Sequence, residues 1–250
     1  MDNRKLYILA FAVIVGLGLS GYLIGRSMER FRKEDRYIAV KGFAEREVKA
    51  DLAVWSLKTG IGSNDLIQGS HDIETARDKV VRFLMANGVQ ADEIIQKELV
   101  VRDKKAQEYG SPTLGDGFRY IIEKTIQVRT TNVDNLQRVS RMTDDLLSAG
   151  VVLSSSDYGS SGLKFIFSGL NAIKPDMLAE ATRNARTAAE QFTAQSGTKL
   201  GGLRKASQGL FSIVDRDNFL AEQSGGYGSS SGSDLYKNVR VVVSVEYSIR

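Results

Sequence analysis

Several short patterns in this chain of 250 residues have the residue types of known chemistry, and each lacks the partners that chemistry needs. Gly228-Ser229-Ser230-Ser231-Gly232 matches the letters of a nucleophile elbow, but an elbow requires a tight strand-to-helix turn and this one sits in a Ser/Gly repeat. The pairs Ser161/Lys164 and Ser196/Lys199, with Lys58-Thr59-Gly60, echo fragments of a serine acyl-transfer set in the wrong order and without its Ser-Asp-Asn element. His71 is the chain's single histidine and shares a helical face with Thr75, Asp78 and Arg82, so it reads as a solvated side chain. The adjacent carboxylates Asp92-Glu93 and Asp144-Asp145 diverge on any regular element and lack the spacing of a metal loop. Asp215 and Asp217 share a strand face and offer the best remaining cation pair, although a solvated strand end explains them as simply. Gly16-Leu17-Gly18-Leu19-Ser20-Gly21 has the dinucleotide fingerprint, but it lies within an apolar run with no strand before it. There is no cysteine, hence no disulfide, thiolate metal site or thiol nucleophile. The residues assign no catalytic, cofactor-binding or metal site.

The elements that would position such groups alternate between strand and helix patterns. Tyr37–Val48 and the run Ala53, Trp55, Leu57, Thr59 and Ile61 read as two strands with little between them, which predicts an antiparallel pair. Ile73, Ala76, Val80 and Phe83/Leu84 recur at helical steps between Asp65 and Asn87, and Gly88 supplies a left-handed stop. Ile94–Lys105 and Phe118–Thr130 read as a second strand pair. A second helix carries Val133, Leu136, Val139, Met142 and Leu146/Leu147 to a stop at Gly150, an ending that resembles the first helix's.

A third helix is expected to start near Pro175 and end at Gly197. Its inward stripe is read as Leu178, Ala181, Ala185, Ala188 and Phe192, and the three alanines suit a helix lying tight on a sheet or against another subunit. Strands at Leu203–Val214 and Asn238–Ile249 follow, separated by the low-complexity loop 224–233; in the last strand Val239, Val241, Val243, Val245, Tyr247 and Ile249 face one way. Hairpins with about three packed helices predict an α+β fold with antiparallel sheet.

The N-terminal end has a different character. Leu6 to Ile24 is uncharged for nineteen residues, roughly 28 Å as a helix, which is enough to span a bilayer. Its length and the exit Gly25-Arg26-Ser27 favour an uncleaved anchor (residues 1–25) over a cleaved signal peptide, with 26–36 as a charged connector and 37–250 as the folded body. Gly21 and Gly25 form a small-xxx-small pair suited to close helix approach. The overall charge of +4 divides into +3 over residues 1–36 and +1 over the rest, so the basic excess belongs to the membrane-proximal segment. The balanced body, without basic and aromatic residues interleaved, speaks against nucleic acid as a partner.

Two stretches carry a family resemblance. Val40, Gly42, Ala44, Val48 and Asp51, within Ile38–Trp55, resemble the V-x-G-x-G/A-x-x-x-V-x-x-D opening of SIMPL-domain proteins. Ala181–Phe192 and Ser196–Gly201 resemble that family's alanine-rich helix and its exit, and the terminal valine strand is similar as well. Ala50 stands where the family commonly has proline. The resemblance implies a bacterial envelope protein, anchored in the inner membrane with its body in the periplasm, from a family linked in part to oxidative-stress defence and in part to large hollow ring-like assemblies. It implies no catalytic residues. Charge counts on either side of the span slightly favour the opposite orientation, and the resemblance outweighs them.

These readings make the chain a non-enzymatic, self-associating membrane protein. Its expected partners are the bilayer, through Leu6 to Ile24, and further copies of itself, through Gly21, Gly25, Leu178, Ala181, Ala185, Ala188 and Phe192. Two alternatives stay open: an envelope hydrolase or cation-dependent enzyme whose site forms only in the fold, and a binding module for a partner membrane protein using the Ser/Gly loop.

Overall fold

The computed structural model describes residues 16–22, 36–106, 117–154, 162–216 and 232–250. Its strands are β1 (Tyr37–Lys49), β2 (Leu52–Ser63), β3 (Ile94–Asp103), β4 (Tyr120–Thr130), β5 (Leu153–Ser154), β6 (Leu163–Ile166), β7 (Leu200–Gln208), β8 (Ser212–Asp215) and β9 (Tyr236–Ile249). Its helices are α1 (Leu66–Ala86), α2 (Val133–Ser140), α3 (Thr143–Ser148) and α4 (Leu170–Gln195), with a 3-10 turn at Ala91–Glu93. The α+β class with antiparallel pairing is as expected.

The chain forms two compact units: one from the described residues of Met1–Glu45, Lys174–Phe211 and Arg240–Arg250, the other from those of Arg46–Ile173 and Ser212–Val239.

In the second unit the sheet order is β3-β4-β2-β5, with β6 also pairing with β2. Trp55, Leu57, Ile126 and Val128 from the central strands meet Val80 and Leu84 of α1, and Leu136, Val139 and Leu146 of α2 and α3, in one buried cluster. The N-terminus of α1 is fixed by Asp65, whose carboxylate accepts from the Ile67 and Gln68 amides at 2.8 and 3.2 Å. Two helix ends share one device. Val89 N–H donates to Leu84 and Gly88 N–H to Met85, and Val151 and Gly150 donate in the same way to Leu146 and Leu147. Both glycines have positive φ, 86° and 77°, and the apolar residue at each end of the motif is buried. The similar sequences at these endings therefore have a local cause in a shared helix stop.

In the first unit the sheet order is β1-β9-β7. Val40 and Ala44 of β1, Val241, Val243, Val245 and Tyr247 of β9, and Met177, Ala181, Ala185 and Ala189 of α4 are buried. β8 pairs with β9.

Four expectations are corrected. β1 and β2 do not pair; β1 lies beside β9 and β2 beside β4. Only Ala50 and Asp51 connect them, yet Ala50 N–H donates to Leu235 and Asp51 N–H to Ile166, so the groups a hairpin would use are taken by distant segments. The single helix expected over 133–147 breaks in two at Arg141 and Met142. The third helix starts at Leu170, so Pro175 lies inside it; proline removes one bond back to Asn171 while keeping a helical φ. The strand expected over 203–214 divides into β7 and β8, and the short strands β5 and β6 carry no pattern long enough to announce themselves.

Of the expected span Leu6–Ile24, residues 16–22 are described and helical; the rest lies outside the described residues. Among the described residues no helix is long and apolar enough to cross a membrane.

Candidate functional site

The residues that carry the resemblance come together. A Cβ built on Gly42 would lie 2.8 Å from the Cα of Ala185, and closer still to the Ala185 nitrogen and the Ala181 oxygen, so β1 and α4 touch backbone to backbone there. One residue on, the Asn184 side-chain amide donates to the Phe43 carbonyl at 2.9 Å and pins the helix to the strand. Glycine beneath and alanine above allow this approach; any larger pair would force the helix off the sheet.

The buried ridge of α4 is Met177, Ala181, Ala185, Ala189 and Thr193. This corrects the expected stripe. Ala181 and Ala185 are on it and are fully buried within the chain. Leu178 and Ala188 are half-buried, and Phe192 is 61% exposed. The expected 3-4-3-4 spacing assumes contact along the helix axis, whereas the observed steps of four follow an i±4 ridge, inclined to that axis. Gly21 is helical, with nothing near its Cβ position, and Gly25 lies outside the described residues.

Asp51 has a structural post in the second unit. Its carboxylate accepts from the Ser168 amide at 2.7 Å and from the Ser168 hydroxyl at 3.0 Å, holding the segment that leads into α4.

The groups considered for chemistry are dispersed into local roles. His71 is exposed, and its carbonyl accepts from Thr75 Oγ1 at 3.0 Å. Glu93 is taken by the Gln90 amide and the Thr130 hydroxyl, while Asp92, Asp144 and Asp145 are exposed. Ser196 and Thr198 hydrogen-bond each other at the end of α4, and Lys58 pairs with Glu123 at 3.0 Å. Glu123 also takes Arg102 at 2.7 Å, which ties β2, β4 and β3 together across one sheet face. Ser161, Asp217 and Ser229–Ser231 lie outside the described residues.

Asp215 departs most from its expected setting. It is buried rather than solvated, with Oδ1 paired to the equally buried Lys237 Nζ and Oδ2 accepting from the Ser233 amide at 3.1 Å. Two charges buried together must satisfy each other, because either one alone would bear its full desolvation penalty. The pair joins the two ends of the segment that contains the Ser/Gly repeat. Among the described residues no three acidic or histidine side chains gather as a metal centre would need.

Exposed pairs show the expected electrostatics. The Arg119 guanidinium donates to Asp103 at 2.9 Å and holds that carboxyl below its ordinary value; Asp134 in turn raises Lys49 through a 2.6 Å hydrogen bond. A depression of 210 Å³ lies along β1, β9 and β7, lined by Lys41, Lys205, Ser207, Ser244 and Glu246 among others, and Lys205 stands opposite Glu246 in the ladder.

β3 presents an open edge. It is the end strand of its sheet, and among the described residues no strand pairs with its outer edge. Ile95, Leu99, Val100 and Val101 are each 38–43% exposed. Sequence reasoning placed this strand and paired it correctly with β4, but strand order, which decides what is an edge, was not legible in it.

A fold of antiparallel sheets with packed helices, whose distinctive glycine and alanines serve close packing, defines the class before any comparison. The chain belongs to the SIMPL family: the family's model, described as a protein of unknown function (DUF541), matches residues 38–247, which include both motif stretches. No curated protein matches the chain.

Proposed function

We propose that the chain is a non-enzymatic envelope protein, anchored in the bacterial inner membrane through Leu6 to Ile24, whose periplasmic body self-associates into a large, hollow, ring-like oligomer serving the envelope or its defence against oxidative stress. The observation that carries the self-association is the open edge of β3: a row of backbone donors and acceptors beside half-exposed Ile95, Leu99, Val100 and Val101 is a template for another strand. The exposed flank of α4, with Phe192 and the half-buried Leu178 and Ala188, offers a second contact. A scaffold role is supported by the motif residues: Gly42, Asp51, Ala181 and Ala185 are each engaged in packing or in holding a turn. The periplasmic location and the stress role rest on the family resemblance.

The test is the mass of the full chain in detergent. A particle of several 27.5 kDa protomers is expected, and it should fall toward the monomer on Val100→Lys, which puts a charge on the strand edge. Monomer alone in the unsubstituted chain would overturn the reading.

A further inference from the structure

The end of the first unit's sheet at which β1 begins is basic. Ile249 N–H donates to the Arg36 carbonyl at 3.1 Å, and Lys199 and Arg250 exchange backbone hydrogen bonds of 2.8 and 2.9 Å, so three cationic residues from separate parts of the chain sit at one sheet end. Arg204 joins them, its guanidinium 5.1 Å from the centre of the Tyr37 ring. All four are exposed, as are Tyr37 at 52% and Leu203 at 60%. Leu203 lies opposite Tyr247, on the ladder that ends at Leu200 and Ile249. Cations around an aromatic ring and an exposed leucine are the composition of a surface that meets a bilayer: the charges take phosphate, and the amphipathic side chains take the headgroup boundary.

On the anchored reading the connector keeps this surface within reach of lipid. Gly25–Asp35, eleven residues, separate Arg36 from the apolar run, and fully extended they reach about 40 Å at most. The connector holds Arg26, Arg30, Arg32 and Lys33 against Glu29, Glu34 and Asp35, a net of +1, so the cations of the sheet end carry the attraction. A short tether turns docking into an intramolecular event at high effective concentration, so weak electrostatic contacts suffice.

We infer that the sheet end formed by Arg36, Tyr37, Lys199, Leu203, Arg204 and Arg250 docks on anionic lipid headgroups, holding this end of the body against the membrane. The inference rests on the anchored reading for its tether. Each cation near an anionic surface strengthens such docking about fivefold, and the effect fades beyond a Debye length of about 8 Å at physiological salt.

The natural chain has no cysteine, so a single fluorophore can be placed on Leu203→Cys in the full chain. Reconstituted in vesicles of phosphatidylcholine with one quarter phosphatidylglycerol and a headgroup-attached quencher, the label should be quenched at least twofold more than in phosphatidylcholine alone. The excess should vanish in 0.5 M NaCl and in the Lys199→Gln/Arg204→Gln variant. A label on Phe43→Cys, six residues along β1 from Tyr37 and about 20 Å away, should show no lipid dependence, and a cooperative thermal melt reports that the double variant is folded. Equal quenching at position 203 in both lipids, or quenching indifferent to the double substitution in a folded variant, overturns the inference. Alkaline carbonate extraction tests the anchor separately: protein that stays in the pellet with an unquenched label loses the docking surface and keeps the anchor, and protein that is extracted yet quenched on anionic vesicles does the reverse.

Discussion

Gly42 of β1 lies directly beneath Ala181 and Ala185 of α4, close enough that a Cβ on Gly42 would overlap the helix backbone. Two motifs separated by well over a hundred residues in the chain are thus halves of one contact. Backbone atoms on the helix side have no rotamer to move to, so the contact has little tolerance.

Gly42→Ala should therefore destabilise the protein by about 1–3 kcal/mol, or prevent folding of the first unit. Gly202→Ala is the matched control: it is also on a strand of that sheet, but nothing lies near its Cβ position. It should stay within about 0.5 kcal/mol of the natural chain in a denaturant melt. Equal effects of the two substitutions would show that the Gly42 contact is not tight.

The Asp215–Lys237 pair predicts strong non-additivity. Asp215→Asn leaves Lys237 as an uncompensated buried charge and should cost about 3–5 kcal/mol, as should Lys237→Met. The combination Asp215→Asn/Lys237→Met removes both charges and should recover most of that loss. Urea melts of the singles and the double give the coupling directly. Simple addition of the two single losses would mean that the charges do not satisfy each other.

Asp51→Ala removes the acceptor of two hydrogen bonds from Ser168, and about 1–3 kcal/mol of stability should go with it. Ser168→Ala loses the hydroxyl bond but keeps the amide bond, so its effect should be smaller. Hydrogen exchange should locate the loosening at the amides of Ser168 and Asp51; exchange unchanged there would contradict the assigned role.

Asp103 should titrate below an ordinary aspartate, because Arg119 hydrogen-bonds to its charged form. A pKa lowered in the folded state contributes stability that is present above the unfolded value and is lost as pH falls through the folded one. Carboxyl NMR shifts against pH should show this depression, and Arg119→Gln should raise the Asp103 value toward the ordinary range, the Lys105 amide keeping part of the depression. An Asp103 titration indifferent to that substitution would rule out the pairing as its cause.

Much of the fold was legible because it is local. The apolar steps Ile73, Ala76, Val80 and Leu84 state a helix face, Gly88 and Gly150 state where helices stop, and alternation states the inward side of β9. Phe192 shows the limit. Its spacing from Ala185 fits an axial stripe, yet it is exposed because the ridge that α4 uses is set by the strand beneath it. Asp215 shows the limit for charge: nothing near it in sequence reveals that Lys237 will be buried beside it.

By itself the sequence determined the element types, the helix stops, the absence of thiol chemistry, the basic terminal segment and the two motifs that mark the family, since each depends on neighbours a few residues apart or on composition. Tertiary structure alone decided that β1 and β2 part into different sheets, that β3 is an edge, that the two motifs meet at Gly42, and that four cations share one sheet end. Those are outcomes of competition among distant backbone and side-chain partners, where the short Ala50–Asp51 link favoured a hairpin and the bonds to Leu235, Ile166 and Ser168 prevailed.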